Sequence, residues 1–418
     1  MTLLPVHCAL LACTTALVNH HVPDPYMDEI FHIPQAQRYC ANDFATWDPK
    51  LTTPPVFAIC LYPIIRRLVA LHHPHTHPWS QHLFTLALVW FPVGFFYNFV
   101  YYTDPGSTLF VLLCYLLAKE KHYTLSGLSG FVSLMFRQTN IIWVCVTMAI
   151  SIMDIISFQD HTMTTLFEQQ RIFASIQQLI YQVFHQLPLL IKKLFMFLLT
   201  LVGFAGFLVW NNGIVLGDRS NHIAGLHFPQ LFYFSSFLSF FAAPWLLTSD
   251  HLGAFFCRRP MLKHWIMIMI ITVIMIYLIH HYTYEHPFLL SDNRHYTFYV
   301  WKKLYRRHWS IRYLLVPFYI ISGWFNVRPL VHRTGFLVCL GYMLALLLTL
   351  VPSPLLEFRY FIIPFLFYCI QLGPPLKVWR TLLVIILYLM IHVMTMYLYL
   401  YKPFEWSHEP GSLQRFMW

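Results

Sequence analysis

Two adjacent acids, Asp28 and Glu29, stand in a polar stretch at residues 19–54, just after the first apolar run. A carboxylate held at a membrane surface can take a proton from a hydroxyl presented there, a step worth about 10²–10⁴ in rate. The same position suits a second role, because an acid ahead of the Glu29–Tyr39 stretch caps a short helix at its N-terminus. Both roles can hold, since only one of the two acids is needed for chemistry. Further polar islands interrupt apolar sequence: Thr103-Asp104, Arg137-Gln138-Thr139-Asn140, Gly217-Asp218-Arg219, Asp292-Asn293-Arg294-His295 and Glu357-Phe358-Arg359. Ionisable groups beside apolar runs usually face a cavity or one another. Arg359 is thus a candidate both for pairing with Glu357 and for substrate contact. The Arg137 island either lines a site or closes a helix end. Asp218 and Arg219 fit substrate contact somewhat better than loop capping.

The elements that must carry these groups follow from composition. Of 418 residues, 58% are hydrophobic and 11% charged, against about 25% charged in a soluble domain. So few charges cannot clothe a water-facing surface, and a bilayer permits only helices or closed barrels. The apolar runs are continuous, without period-2 alternation, so they are helices. The expectation is an all-α polytopic membrane protein, one multi-span domain over residues 1–418, with about a dozen spans of roughly 20 residues or fewer. Leu83–Tyr102, Phe228–Leu247 and Ile311–Trp324 are each read as one span. The first run, Leu3–Val18, lacks a basic n-region and a small-x-small cleavage site, so a retained helix is favoured over a signal peptide.

Basic connectors (Lys119/Lys121, Arg171 with Lys192/Lys193, Arg258/Arg259/Lys263, Arg328/Arg333, Lys377/Arg380) alternate with connectors bearing the polar islands. The positive-inside rule puts the basic set in the cytosol and the islands, with the 19–54 loop, on the lumenal side. The net charge of +10 is spread in twos and threes, which argues against a nucleic-acid-binding face. Nine cysteines without a CxxC pair indicate neither a disulfide framework nor a zinc site. The histidines at 72, 73, 75, 77 and 82 resemble a metal tract, but their prolines and cytosolic side argue against a catalytic ion. Read as a helix, residues 298–312 place Phe298, Trp301, Tyr305 and Trp309 on one face and Lys302, Lys303, Arg306 and Arg307 on a neighbouring arc. That is the pattern of a lumenal interfacial amphipathic helix.

The run Tyr26-Met27-Asp28-Glu29-Ile30-Phe31-His32-Ile33-Pro34-Gln35-Ala36-Gln37-Arg38-Tyr39-Cys40, followed by Trp47-Asp48-Pro49-Lys50-Leu51-Thr52-Thr53-Pro54, closely resembles one family. It is similar to the endoplasmic-reticulum α-1,2-glucosyltransferases that use dolichyl-phosphate glucose to add the last glucose to the lipid-linked oligosaccharide. Met135-Phe136-Arg137-Gln138-Thr139-Asn140, Gly217-Asp218-Arg219-Ser220, Asp292-Asn293-Arg294-His295-Tyr296, Glu357-Phe358-Arg359-Tyr360 and Gln414-Arg415-Phe416-Met417-Trp418 match in the same order. Departures are modest: Asp104-Pro105 stands where the family pattern has Glu-Ala, and Pro55-Val56 replaces Pro-Gly.

The resemblance implies a GT-C-like fold in the endoplasmic reticulum membrane with its site facing the lumen. It implies dolichyl-phosphate glucose as donor, a dolichyl-diphosphate oligosaccharide as acceptor, no cofactor and an inverting single displacement. The base would be an acid of the first lumenal loop, Asp28 in preference to Glu29. The leaving dolichyl phosphate needs fixed cations, and Lys302, Lys303, Arg306, Arg294, His295, Arg359 and Arg137 are candidates. Binding of ordinary lipid headgroups is an equal reading of the 298–312 cations. Asp218, Arg219 and Asp104 are candidate substrate contacts, the first two for acceptor sugars. No divalent metal is expected, because a monophosphate can be held by Lys and Arg and no carboxylate cluster has ligand spacing. The alternatives are another polyprenyl-phosphate-sugar transferase of the same fold, or a transporter. A transporter fits less well, since carriers place ionisable groups near the midplane and often show inverted repeats.

Overall fold

A computed structural model of the chain describes residues 2–27, 29–41, 58–100, 102–159, 172–214, 225–256 and 262–418. It is almost entirely helical. Among the described residues, Gln138–Ile156, Leu187–Asn211, His264–Tyr282, Ile311–Thr334 and Val378–Tyr401 are long and apolar enough to cross a membrane. Shorter apolar helices, Tyr123–Phe136, Phe336–Leu350 and Phe358–Leu372, pack among them. One small antiparallel hairpin follows the last helix: β1, Phe404–Trp406, pairs with β2, Glu409–Gln414.

Prolines divide runs that the sequence reads as single spans. Leu83–Tyr102 is two helices, Pro78–Val89 and Pro92–Phe96. Pro92 lacks an N–H and forces the preceding residue out of helical geometry, and Phe91 is extended at φ −54°, ψ 120°. Phe228–Leu247 likewise splits into Pro229–Phe241 and Ala243–Leu246, with Pro244 opening the second piece. The Ile311–Trp324 run, by contrast, stays within the single stretch Ile311–Thr334: Ile311–Leu314 and Val316–Thr334 abut at Leu315, which keeps right-handed helical geometry ahead of Pro317. His77 and His286 use one device: each precedes a proline at a helix start and accepts a bond from the backbone N–H two residues on.

The core is aromatic. Phe91 stacks on Phe365 at 4.1 Å and meets Phe241 edge-on at 5.2 Å, while Trp143 and Tyr115 flank Phe367 at 4.7 and 5.0 Å. Where two helices touch backbone to backbone a glycine is required. A Cβ on Gly127 would lie 2.7 Å from Phe197 N, the close approach by which helices associate in lipid.

Polar groups gather at two ends of the bundle. The helix Asp104–Lys119 carries Asp104 against Arg137 at one end and Lys119 against Asp154, 2.7 Å apart, at the other. Its 16 residues span roughly 24 Å at about 1.5 Å per residue, close to a hydrocarbon core of about 30 Å.

The 298–312 segment departs from a single interfacial helix. It runs as a short α-helix, Tyr296–Val300, then a π-helical turn, Trp301–Tyr305, and resumes only at Ile311–Leu314. Phe298, Trp301 and Tyr305 are buried in the protein, and only Trp309 is exposed. For Trp301 and Tyr305 the reason lies in their polar tips: Trp301 Nε1 donates to Glu285 at 2.6 Å, and the Tyr305 hydroxyl pairs with that of Tyr319. Partners inside the chain replace the headgroups that an interfacial helix would use.

Candidate active site

A cavity of about 320 Å³ opens at the polar end, where three chain segments meet. Met27 comes from the turn before the helix Glu29–Cys40, and Asp292, Arg294 and His295 from the turn before Tyr296–Val300. Glu357 and Arg359 come from the entry to the helix Ile362–Leu372, with Tyr102 and Trp406 closing the wall.

Arg294 is held from every side. Asp292 Oδ1 accepts from its backbone N–H at 3.0 Å and its Nε at 2.9 Å, and Oδ2 accepts from Nη2 at 2.8 Å. Nη1 donates to Gln414 Oε1 at 3.0 Å, and the guanidinium lies over the Trp406 ring at 4.7 Å. Three of the five guanidinium N–H groups are so engaged, and the planar fork suits a phosphate with the rest. Burial alone would raise the Asp292 carboxyl; the bonds and charge of Arg294 outweigh it and hold the group below its ordinary value. His295 Nδ1 donates to Trp418 O at 3.0 Å, with Nε2 3.6 Å from Asp292.

Arg359 pairs with Glu357 through Nε. Burial works to raise the Glu357 carboxyl, but the Arg359 charge and hydrogen bond hold it below the usual range. Arg137 Nη2 lies 3.0 Å from both Asp104 carboxylate oxygens, and its Nε donates to Thr103 at 3.3 Å. The Tyr360 ring receives both arginines, with Arg137 at 5.4 Å and Arg359 at 5.6 Å from its centroid. Two of the arginine–acid pairs, Arg294 with Asp292 and Arg359 with Glu357, thus line the cavity, and the third, Arg137 with Asp104, stands outside its wall and meets Arg359 at the Tyr360 ring.

The structure therefore brings Asp104, Arg137, Arg294, His295 and Arg359 together. It does not bring Lys302, Lys303 or Arg306 to the cavity. They are exposed; the two lysines lie over Phe298 and Tyr299, and Arg306 is 3.6 Å from Glu285. The Trp301–Tyr305 π-turn that buries the aromatics turns these cations outward. The Glu29 carboxylate is engaged in the turn ahead of its own helix, where its Oε2 accepts from Tyr26 N at 2.9 Å. Asp28, Asp218 and Arg219 lie outside the described residues. In the histidine tract, His72 bonds Tyr115, His73 bonds Ile370 O and His82 bonds Tyr62, each to a separate partner.

The DIE2/ALG10 family description matches residues 22–62 and 56–370, most of the chain. This chain belongs to the DIE2/ALG10 family. It is 34% identical to a Homo sapiens protein over 94% of this chain and 93% of that one. It is 36% identical to a Rattus norvegicus protein over the same shares, and 30% identical to an Arabidopsis thaliana protein over 96% of each. All three are named Dol-P-Glc:Glc(2)Man(9)GlcNAc(2)-PP-Dol alpha-1,2-glucosyltransferase. No solved structure matches.

Several groups that shape the site in this DIE2/ALG10 chain were not among the residues singled out from the sequence: Tyr26, Tyr97, Trp406, Gln414 and Arg415. Tyr97, fully buried, donates to Trp418 O at 2.7 Å, and Trp406 Nε1 donates to Asn293 at 2.7 Å. The signal for Gln414 and Arg415 lay in the Gln414–Trp418 block itself, a polar pair in a short tail beside an apolar helix. Its meaning needs the tertiary contact with the Arg294 turn.

Proposed function

We infer that this chain transfers glucose from dolichyl-phosphate glucose to the terminal glucose of a dolichyl-diphosphate oligosaccharide, forming an α-1,2 linkage. The identity of donor and acceptor rests on relatives that share a third of their residues over nearly the whole length. The observation that carries the site is the convergence of Arg294, Arg359 and Met27 on one cavity.

In the proposed displacement an acceptor hydroxyl oxygen attacks C1 of the donor glucose from the face opposite phosphate. The C1–O(phosphate) bond breaks with its electron pair leaving on dolichyl phosphate, so a β-linked donor becomes an α-linked product. Arg294 and Arg359 supply fixed positive charge where the negative charge grows, the largest kind of contribution in such a site. The hydroxyl proton passes to Asp28. Supporting that choice, Met27 lines the cavity and the neighbouring Glu29 carboxylate is engaged with Tyr26 N. Asp104 and Arg137 stand behind Arg359 and fix it through the shared Tyr360 ring. Lys302, Lys303 and Arg306 read best as contacts to lipid headgroups around the entrance. The site faces the lumen of the endoplasmic reticulum, following the charge asymmetry of the connectors.

The test is transfer by microsomes or purified protein from dolichyl-phosphate glucose to a diglucosylated acceptor. Asp28→Asn is expected to lower transfer by about 10²–10⁴-fold with normal expression. Glu29→Gln, which keeps an oxygen for the Tyr26 N–H, should cost far less. Full activity in Asp28→Asn removes it as the base.

A further inference from the structure

Arg415 is 7% exposed yet forms no salt bridge among the described residues. Among the described residues its guanidinium donates to backbone carbonyls alone: Nη1 to Tyr399 O at 2.8 Å and Leu400 O at 3.1 Å, Nη2 to His21 O at 3.1 Å. Those carbonyls close the helices Val378–Tyr401 and Leu4–His21, whose C-terminal ends carry partial negative charge. One planar fork thereby joins the last turns of two helices far apart in sequence. A buried cation with so many fixed acceptors is costly to assemble and tolerates little displacement.

The backbone of Arg415 is fixed just as tightly. Its N–H donates to the Tyr26 hydroxyl at 2.8 Å, and that hydroxyl donates to its carbonyl at 3.0 Å. Two residues on, Met417 N donates to Arg294 O at 2.9 Å and Tyr296 N donates to Met417 O at 3.1 Å, a short parallel bridge. Tyr26 is itself bonded through its N–H to Glu29. A continuous chain of bonds therefore runs from the acid-bearing turn, through Tyr26 and Arg415, to the backbone of the Arg294 turn.

We propose that Arg415 is a positioning residue: it sets the distance between the Met27 turn of the first loop and the Arg294 cradle, and so the alignment of the two walls of the cavity. It touches no reacting atom. The inference rests on the proposed reading of that cavity. Displacing one reacting partner by about 1 Å costs on the order of 10²-fold in rate, while the cavity's own donors to the substrate are unchanged.

Two variants test this, with Arg415→Lys keeping the charge but losing the fork and Tyr26→Phe removing only the hydroxyl hub. Each is expected to lower kcat by about 10- to 100-fold with the donor KM little changed. The double variant should be no worse than the weaker single one, because both break the same link. Hydrogen exchange read by mass spectrometry gives a second readout independent of turnover. Both variants should speed exchange in residues 22–41 and leave Tyr123–Phe136 and Phe336–Leu350 unchanged. A rise in donor KM at constant kcat, losses that multiply in the double variant, or unaltered exchange in residues 22–41 would each overturn the proposal. Wild-type transfer decides the proposed activity separately, and the exchange measurement judges Arg415 even if that activity fails.

Discussion

The Asp104–Arg137 pair offers a sharp energetic test, because each partner can be neutralised with little change of shape. Asp104 has a side chain only 5% exposed and Arg137 one 19% exposed. Arg137→Gln leaves a carboxylate in a dry site with Arg359 as the nearest compensating cation. Removing one partner of a buried pair costs about 3–5 kcal/mol, and the remaining Arg359 favours the lower end, about 3 kcal/mol. Asp104→Asn strands Arg137, which still has Thr103 and the Tyr360 ring, so about 2 kcal/mol is expected. In Asp104→Asn/Arg137→Gln no charge is stranded, and the two amides can pair, so the double variant should lie within about 1 kcal/mol of wild type. The coupling is then roughly 4 kcal/mol, above the 0.5–3 kcal/mol common for residues in contact or in one salt-bridge network.

The assay is unfolding of the protein in detergent or nanodiscs, followed by an internal tryptophan signal, on all four members of the cycle. Additive losses, with the double variant less stable than either single one, would refute the claim that the two charges exist for one another. Transfer kinetics add a signed check. Asp104→Asn leaves Arg137 and Arg359 facing Glu357 alone, so the donor phosphate should bind more tightly and KM should fall; a rise would mean that Asp104 itself holds substrate.

Stability should depend on pH through Asp292 and Glu357, whose ordinary values are 3.8 and 4.5. Both are depressed in the folded chain, so their stabilisation is fully present above those values and is lost as pH falls through the lower folded ones. An unfolding midpoint flat from neutral pH to the carboxylate range and falling below it is expected, and Asp292→Asn/Glu357→Gln should flatten that fall; an identical profile in the double variant contradicts the assignment. Gly127→Ala forces a Cβ within 2.8 Å of backbone atoms of Met196 and Phe197, and overpacking of that kind costs about 1–3 kcal/mol or more. Gly203→Ala, with nothing within 4 Å, should be neutral, so similar folded yields of the two would refute the close-packing account.

The residues legible in advance were those whose environment is local. Glu357 and Arg359, two apart beside an apolar run, announce an ion pair; Asp292 and Arg294 have the same spacing, but their pairing was not read from it and appears only in the structure. Asp104 and Arg137 were each suspect as charges at span edges, but their pairing needs the antiparallel contact of Asp104–Lys119 with Tyr123–Phe136. The π-turn at Trp301–Tyr305 was not legible, because an aromatic face reads alike whether lipid or protein covers it. Helix breaks at Pro92 and Pro244 were marked by the prolines themselves, yet hydropathy averages across them. The β1–β2 hairpin was hidden for the same reason: it is short, polar and stabilised through Arg294, Asn293 and Tyr26, none of them near in sequence.

Helix polarity explains why so many ionised groups survive at this end of an apolar bundle. Glu29 and Asp104 each occupy the first position of a helix, and Glu357 is the residue before one. The unpaired N–H groups and positive dipole end favour a carboxylate at all three sites. Arg137 follows the last residue of Tyr123–Phe136, and Arg415 bonds the closing carbonyls of two further helices, where a cation is favoured instead. Signs are thus sorted by chain direction before any ion pair forms, which lowers the desolvation cost that each pair must offset. Arg294 and Arg359 are the exceptions, since neither sits at a helix C-terminus, and both line the cavity. Their charge is fixed by neighbouring acids rather than by backbone dipoles, so that the two guanidinium groups are the fixed cations on the cavity wall.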